Sequence, residues 1–145
     1  MLISTKGRYA LRVMLELAQG EPGECMPLPV IAQRQGISEK YLESIIAVLA
    51  RAGLVEGQRG KGGGYRLSRE LKDYSVGEIV RLTEGSLAPV DYLDELSGEA
   101  SPGESCYEIF VWKGLHDLVK GYLGGISLQD VVDRSSQLAI DSYTI

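Results

Sequence analysis

The residues best suited to chemistry lie at the start of one short amphipathic segment, after Ser38. Apolar residues recur there at helical spacing, so one face turns inward and the first turns keep exposed polar side chains. A helix fits the DNA major groove, and residues near its N-terminus reach base edges. Lys40 suits a phosphate, and Glu43 can accept a hydrogen bond from a cytosine amino group. The residues expected to contact DNA in this segment are Ser38, Glu39, Lys40, Tyr41, Glu43 and Ser44.

A cationic, glycine-rich stretch follows this segment directly. Two strand-like runs, 54–58 and 65–68, flank it, and this pattern predicts a β-hairpin with a flexible tip. Arg59 or Lys61 can enter the minor groove or pair with phosphates, while glycines such as Gly60 let the backbone approach DNA closely. The two segments together predict a helix-turn-helix followed by a wing.

Catalytic chemistry has no comparable pattern. The stretch 60–65 lacks the spacing of a phosphate-binding loop, and no helix is predicted directly after it. The sequence shows no metal-ligand cluster, nucleophile–base set or dinucleotide fingerprint, so neither an enzyme nor a bound cofactor or metal is expected. A protein-only adaptor is the remaining alternative, and the salt dependence of DNA binding would separate the two.

Helix caps and turn residues predict the elements that position these segments. Ser4 is expected to cap a first helix, Gly36 to end a second and Ser38 to cap the third. A fourth helix is predicted from Ser75 to about residue 84. The expected fold class is mainly α with a small β-hairpin wing: a winged helix-turn-helix domain followed by a long C-terminal helix.

The C-terminal half is predicted to be helical after a loop. Residues 101–104 have the pattern of a capping box and predict a long helix over 102–123. A short helix is expected from Ser127 through Val132. The expected organisation is a DNA-binding domain over 1–84, a loop over 85–104, a long and a short helix over 102–135 and a tail over 136–145.

Charge is distributed unevenly along the 145 residues, whose net charge is −5. Residues 1–67 carry nine Lys/Arg and six Asp/Glu, giving +3, whereas residues 68–145 carry six and fourteen, giving −8. A basic half joined to an acidic half suggests one module that faces DNA and one that faces away. The sequence has neither an 18-residue apolar stretch nor a signal-peptide pattern, so no membrane association and a cytoplasmic location with reduced cysteines are expected.

Several blocks of the sequence resemble the Rrf2 family of bacterial winged helix-turn-helix regulators over residues 1 to about 134. The blocks are 3–11, 37–43, 52–55, 59–60 and 63–65. The resemblance implies a homodimer on a near-palindromic operator, with Thr5, Lys6 and Tyr9 on the DNA backbone. It also implies that the long helix is the dimerisation helix. The apolar residues expected to form the dimer are Phe110, Trp112, Leu115, Leu118 and Val119.

The two cysteines bear on the signal that is sensed. Members of this family that sense iron or nitric oxide hold an iron–sulfur cluster on three loop cysteines and a fourth ligand. Here only Cys106 lies between residues 85 and 110, and His116 is ten residues further on. A cluster is therefore not expected, since clusters rely on several converging thiolates. Cys106 is expected to be an apolar filler, and a cluster with atypical ligands is the alternative.

The chain is more similar to the cluster-free branch of the family, which includes the repressor of cysteine metabolism. This similarity implies a role in sulfur metabolism and cysteine synthase as a partner. Tyr143, Thr144 and Ile145 resemble the isoleucine-ended tail that this synthase receives, so a docking tail and a frayed terminus are both open. Cys25 lies in a predicted turn, where it is either an inert thiol or one that is oxidised in signalling.

Overall fold

The computed structural model describes residues 2–90, 93 and 107–143, with side chains described as far as residue 141. Six α-helices and one two-stranded antiparallel sheet make up these residues. The helices are α1 (Thr5–Ala18), α2 (Leu28–Gln35), α3 (Glu39–Arg51), α4 (Val76–Glu84), α5 (Ile109–Gly124) and α6 (Leu128–Tyr143). The strands are β1 (Val55–Gln58) and β2 (Gly64–Leu67), and a 3₁₀ turn, Leu71–Asp73, follows them. The expected fold class is confirmed.

Local capping sets the ends of the first helices as the sequence predicts. The Ser4 hydroxyl accepts a hydrogen bond from the Gly7 amide, and the Ser38 hydroxyl accepts one from the Tyr41 amide. Gly36 ends α2 in the left-handed conformation, with φ 67°. The apolar faces of α1, α2 and α3 then meet in one core. Its fully buried members include Ala10, Val13, Met14, Ile31, Leu42, Ile45 and Leu49.

The wing is anchored by a contact that the sequence does not reveal. Val55 pairs with Leu67 at the base of the hairpin. Met26, in the connection between α1 and α2, pairs with Tyr65 through amide-to-carbonyl bonds of 2.8 and 3.0 Å. Gly64 has φ 134°, and a Cβ there would overlap the Met26 carbonyl. Only glycine therefore allows the hairpin to pack this closely on the helical domain.

Tyr74 ties the wing to the helices through its hydroxyl. The side chain is 1% exposed. Its hydroxyl donates to the Leu54 carbonyl at 2.6 Å and accepts from the amides of Ser68 and Arg69 at 2.9 and 3.0 Å. The Tyr74 carbonyl accepts from the Leu128 amide at 3.1 Å, which fixes the start of α6. One tyrosine thus links both ends of the hairpin and the C-terminal helices.

Replacing Tyr74 with phenylalanine is expected to lower the free energy of unfolding by roughly 2–3 kcal/mol, because a buried group left without its partner costs about 1–3 kcal/mol. Urea unfolding at one fixed protein concentration measures this change. Ser136→Ala is the control, since it also removes one hydroxyl and Ser136 is exposed on α6. An unchanged urea midpoint for Tyr74→Phe would show that the hydroxyl does not hold the wing.

The C-terminal helices differ from the sequence prediction in their bounds. Tyr107 and Glu108 form a turn, so the long helix begins at Ile109 rather than at residue 102; the predicted capping box lies outside the described residues. The final helix is not short, and the predicted tail over 136–145 is wrong as far as Tyr143, because α6 continues to that residue. Residues 133–141 of α6 are all exposed, so this continuation of the helix adds no buried side chain to the domain.

Two kinds of feature are absent from the described part of the chain. Among residues 2–90, 93 and 107–143, no helix has the length and apolarity needed to cross a membrane. No group of three or more His, Cys, Asp or Glu side chains in the same ranges is placed to hold a metal ion.

Candidate nucleic-acid interface

The first turns of α3 present most of the residues predicted to read DNA. Leu42 and Ile45 face the core, which leaves the opposite face of the helix in solvent. The Ser44 hydroxyl is also exposed and donates to the Tyr41 carbonyl at 2.6 Å. Tyr41 departs from the prediction, because its ring is half-buried and packs against the core. The predicted DNA contacts that are exposed on this helix and its cap are Ser38, Glu39, Lys40, Glu43 and Ser44.

An aromatic contact joins the start of α1 to the start of α3. The rings of Tyr9 and Tyr41 pack edge to face with centroids 6.1 Å apart. The Arg12 guanidinium stacks over the Tyr9 ring at 4.8 Å. Thr5 is exposed and Lys6 half-buried one turn before Tyr9. The structure therefore places the residues predicted to contact the DNA backbone beside α3, the predicted recognition helix. It also places Arg12 next to them, which the sequence pattern does not single out.

Glu84, the last residue of α4, holds the N-terminus of α1. Its carboxylate accepts from the Ser4 amide at 2.9 Å and from the Ser4 hydroxyl at 2.6 Å. Ser4 in turn caps α1 at the Gly7 amide. The position of Thr5 and Lys6 therefore depends on the end of α4. Sequence reasoning missed this contact because the two residues are far apart in the chain.

The wing tip carries exposed cations on a short glycine turn. Arg59, Gly60 and Lys61 are all exposed. The Gly63 amide donates to the Gly60 carbonyl at 2.9 Å, which closes the tip. Tyr65, one pair from the tip on β2, pairs with Met26 and so holds the hairpin close behind its tip. The tip can therefore approach a DNA backbone while its base stays fixed to the domain.

α5 and the turn before it carry an exposed apolar face. Its members are Tyr107, Phe110, Val111, Leu115, Leu118 and Tyr122. Phe110 is 75% exposed and Leu118 73% exposed. Three of the five predicted dimerisation residues lie on this face, whereas Trp112 and Val119, beyond one edge of it, are half-buried. A monomer seldom leaves so large an apolar stripe in water.

The opposite side of α5 holds the single histidine. His116 is half-buried, and its Nδ1 is buried without a hydrogen-bond partner among the described residues. On the exposed side, Lys113 hydrogen-bonds the Asp117 carboxylate at 2.9 Å and holds the pKa of that carboxyl below its usual range. This pair is a solvated ion pair one helical turn apart and contributes little to stability.

The remaining predicted site residues, the cysteines and the C-terminal residues, lie either beside the wing or outside the described part of the chain. Cys25 is half-buried, and its Sγ lies 3.8 Å from Oε1 of Gln58, the last residue of β1. Cys106, Thr144 and Ile145 lie outside the described residues, as does the side chain of Tyr143. The Cys25 thiol thus lies beside Gln58, the residue that directly precedes Arg59 of the wing tip.

Comparison with known proteins identifies the family. The family model Rrf2, described as an iron-dependent transcriptional regulator, matches residues 3–134. The chain belongs to the Rrf2 family of transcription regulators. Its winged helix-turn-helix is accordingly a DNA-binding domain, and its relatives are transcription regulators rather than enzymes.

Three known proteins show what this Rrf2 chain is similar to. The HTH-type transcriptional regulator IscR of Escherichia coli is 34% identical over 140 residues, which is 97% of this chain and 85% of IscR. The structure of CymR (YrzC), the global cysteine regulator of B. subtilis, is similar with a TM-score of 0.78 and 36% identity over 92% of this chain and 98% of CymR. The oxidized form of Staphylococcus aureus CymR has a TM-score of 0.69 and 34% identity, covering 90% of this chain and 95% of that one.

Proposed function

We propose that this Rrf2 protein represses transcription as a homodimer bound to a near-palindromic operator. The observation that carries the proposal is that one protomer has two exposed surfaces. One is formed by the polar first turns of α3 beside the start of α1, and the other is the apolar face of α5. A twofold dimer through α5 would bury the apolar face and present two recognition helices to two half-sites. Duplexes selected by the wild-type protein from a random-sequence pool are expected to be inverted repeats.

We infer that the regulated process is sulfur or cysteine metabolism and that the signal is a thiol or a partner protein. The similarity to CymR, named a global cysteine regulator, supports this assignment. The position of Cys25 supports a thiol signal, since Gln58 beside it precedes Arg59 in the wing. Oxidation of the Cys25 thiol to a sulfenic acid by a peroxide, with release of water, would add a polar oxygen at this contact.

Peroxide treatment is expected to weaken binding to the selected duplex on the order of tenfold, which corresponds to about 1.4 kcal/mol. The reason is that an added oxygen on Cys25 would displace Gln58 and the wing tip beyond it. Fluorescence anisotropy before and after treatment measures the change, and a thiol reductant is expected to reverse it. Cys25→Ser should abolish the response, whereas the matched variant Cys106→Ser should keep it. A wild-type response in Cys25→Ser would reject Cys25 as the sensor.

A cluster-sensing regulator is the second candidate, favoured by the similarity to IscR and by the iron-dependent description of the family model. The described residues hold no metal-ligand group of three, and Cys106 lies outside them. The whole chain has two cysteines and one histidine, which are fewer cysteine and histidine ligands than the four that usually hold an iron–sulfur cluster. Stoichiometric iron and sulfide in protein purified without oxygen would establish this second function instead.

The C-terminal residues form the proposed docking segment for cysteine synthase. Their resemblance to the isoleucine-ended tail that this synthase receives supports the proposal. Because α6 extends to Tyr143, the segment would be carried at the end of a helix. Deletion of residues 143–145 is expected to abolish heat of binding to cysteine synthase in calorimetry while leaving the affinity for the selected duplex unchanged. Equal heats for the truncated and full chains would disprove the tail contact.

A further inference from the structure

A cavity of about 530 Å³ lies between α4 and the C-terminal half of α5. Leu82 and Leu87 line it with aliphatic side chains, and Gly77, Gly85 and Gly124 line it with backbone. Its volume falls in the range of small-molecule binding sites, which are mostly apolar with a few polar groups that orient the ligand. The cavity is separate from the residues assigned to DNA contact.

The walls of this cavity are fixed by a close helix crossing. A Cβ at Gly77 would lie 3.0 Å from the Gly124 amide nitrogen and 3.1 Å from the Leu123 carbonyl carbon. Gly77 is therefore needed for α4 and α5 to approach, and a larger residue would push them apart. A site whose walls are set by backbone contact is formed before a ligand arrives, which lowers the entropic cost of binding.

Charge at the cavity favours an anion. Lys120 of α5 lines it and is exposed. Glu78 lines it too, but its two carboxylate oxygens accept from Arg69 at 3.1 and 3.0 Å. This pairing offsets the Glu78 charge, so an amphiphilic ligand with one negative group would meet the Lys120 ammonium beside aliphatic walls.

The same helix that lines the cavity also holds the DNA-contacting end of α1. Arg81 and Leu82 are two or three residues before Glu84, whose carboxylate holds Ser4 at 2.9 and 2.6 Å. Ser4 caps the helix turn that carries Thr5 and Lys6. A ligand that shifts the end of α4 would therefore shift these two residues relative to DNA.

We propose that this cavity binds a small monocarboxylate with an apolar body and that its occupancy changes DNA affinity through Glu84 and Ser4. The first half concerns ligand binding alone, and the second half rests on the proposed operator binding. A ligand can couple the two sites only if it prefers one arrangement of α4 over another.

The NMR chemical shifts of glycine amides in the ¹⁵N-labelled full chain give a direct test of binding. Octanoate is the probe ligand in this titration. The signals of Gly77, Gly85 and Gly124 are expected to shift and saturate. Gly36, at the end of α2, and Gly60, in the wing tip, are remote from the cavity lining, serve as internal controls and should stay in place. Shifts confined to these two glycines, or shifts that never saturate, would overturn the site. Octanamide, which lacks the charge, should bind more weakly.

A matched pair of lysine variants tests the charge assignment. Lys120→Gln is expected to raise the octanoate Kd about threefold to fivefold, the effect of one partly exposed ion pair. Lys113→Gln removes an equal charge from the same helix outside the cavity and should leave the Kd unchanged. Equal Kd values for Lys120→Gln and the wild type would overturn the proposed carboxylate contact.

The coupling is tested with the selected duplex in the presence and absence of octanoate. Saturating octanoate is expected to change the duplex Kd by about fivefold or more in the wild type. Glu84→Ala should still show the glycine shifts but lose this change. Saturable glycine shifts with an unchanged duplex Kd would overturn the coupling. A chain that shows these shifts but selects no duplex would contradict the proposed operator binding, not the cavity.

Discussion

Replacing Leu118 with aspartate is expected to convert the proposed dimer to a monomer and to weaken binding to the selected duplex about hundredfold or more, because linked half-site contacts add 10²–10⁴-fold to affinity. Leu118 lies in the middle of the exposed apolar face of α5. In a dimer through that face, an aspartate would place a carboxylate in an apolar contact, where an unpaired charge is strongly unfavourable. Loss of the dimer also separates the two recognition helices that must bind together.

The fold of each protomer should survive this substitution, since Leu118 is 73% exposed within the protomer. Light scattering after size exclusion measures the mass, circular dichroism measures the helix content, and anisotropy at one salt concentration measures the duplex Kd. Leu118→Met keeps an apolar side chain of similar size and should remain dimeric with wild-type affinity. A Leu118→Asp variant that stays dimeric would show that the dimer uses another surface.

The features that could be read from the sequence are those set by short-range chemistry. Ser4, Ser38 and Ser75 cap helices because each hydroxyl accepts from an amide three residues later. Gly36 ends α2 because a left-handed residue costs glycine little. These local signals, with the apolar periodicity of α1 and α3, predict the helix-turn-helix and the wing and hence most of the candidate DNA contacts.

The features that could not be read depend on contacts between distant residues. Tyr74 bonds Leu54 across twenty positions, and Glu84 bonds Ser4 across eighty. No local pattern marks such pairs, so the sequence alone predicts a role for neither the tyrosine nor the glutamate. The anchoring of the wing on Met26 was missed for the same reason.

The faces of α5 show a different limit. The helix is apolar on most of its circumference, and periodicity does not distinguish one apolar face from another. Val111 and Tyr122 lie on the exposed apolar face, but the prediction chose Trp112 and Val119, which are half-buried beside it. Only the packing of α5 against α4 decides between these faces.

The second large effect is expected at the wing. Arg59→Ala should weaken binding to the selected duplex about tenfold to thirtyfold, because one specific base contact contributes about 1–3 kcal/mol. Arg59 is exposed directly after β1, and the hairpin behind it is held by Met26 near the tip and by Tyr74 at the base. A guanidinium on a fixed support can enter a narrow minor groove, where the negative potential is enhanced. Because the side chain is exposed, its loss should leave the unfolding free energy unchanged.

Two matched variants separate groove reading from simple charge. Lys61→Ala removes one cation from the same tip and should weaken selected and random duplexes alike, lowering the salt slope by about one. Arg59→Lys keeps the charge but loses the planar donor geometry, so it should restore affinity for random duplex without restoring preference for the selected one. Anisotropy titrations of both duplexes at several salt concentrations provide these values. If Arg59→Ala weakens the random duplex as much as the selected one, Arg59 contacts phosphates and the wing does not read sequence.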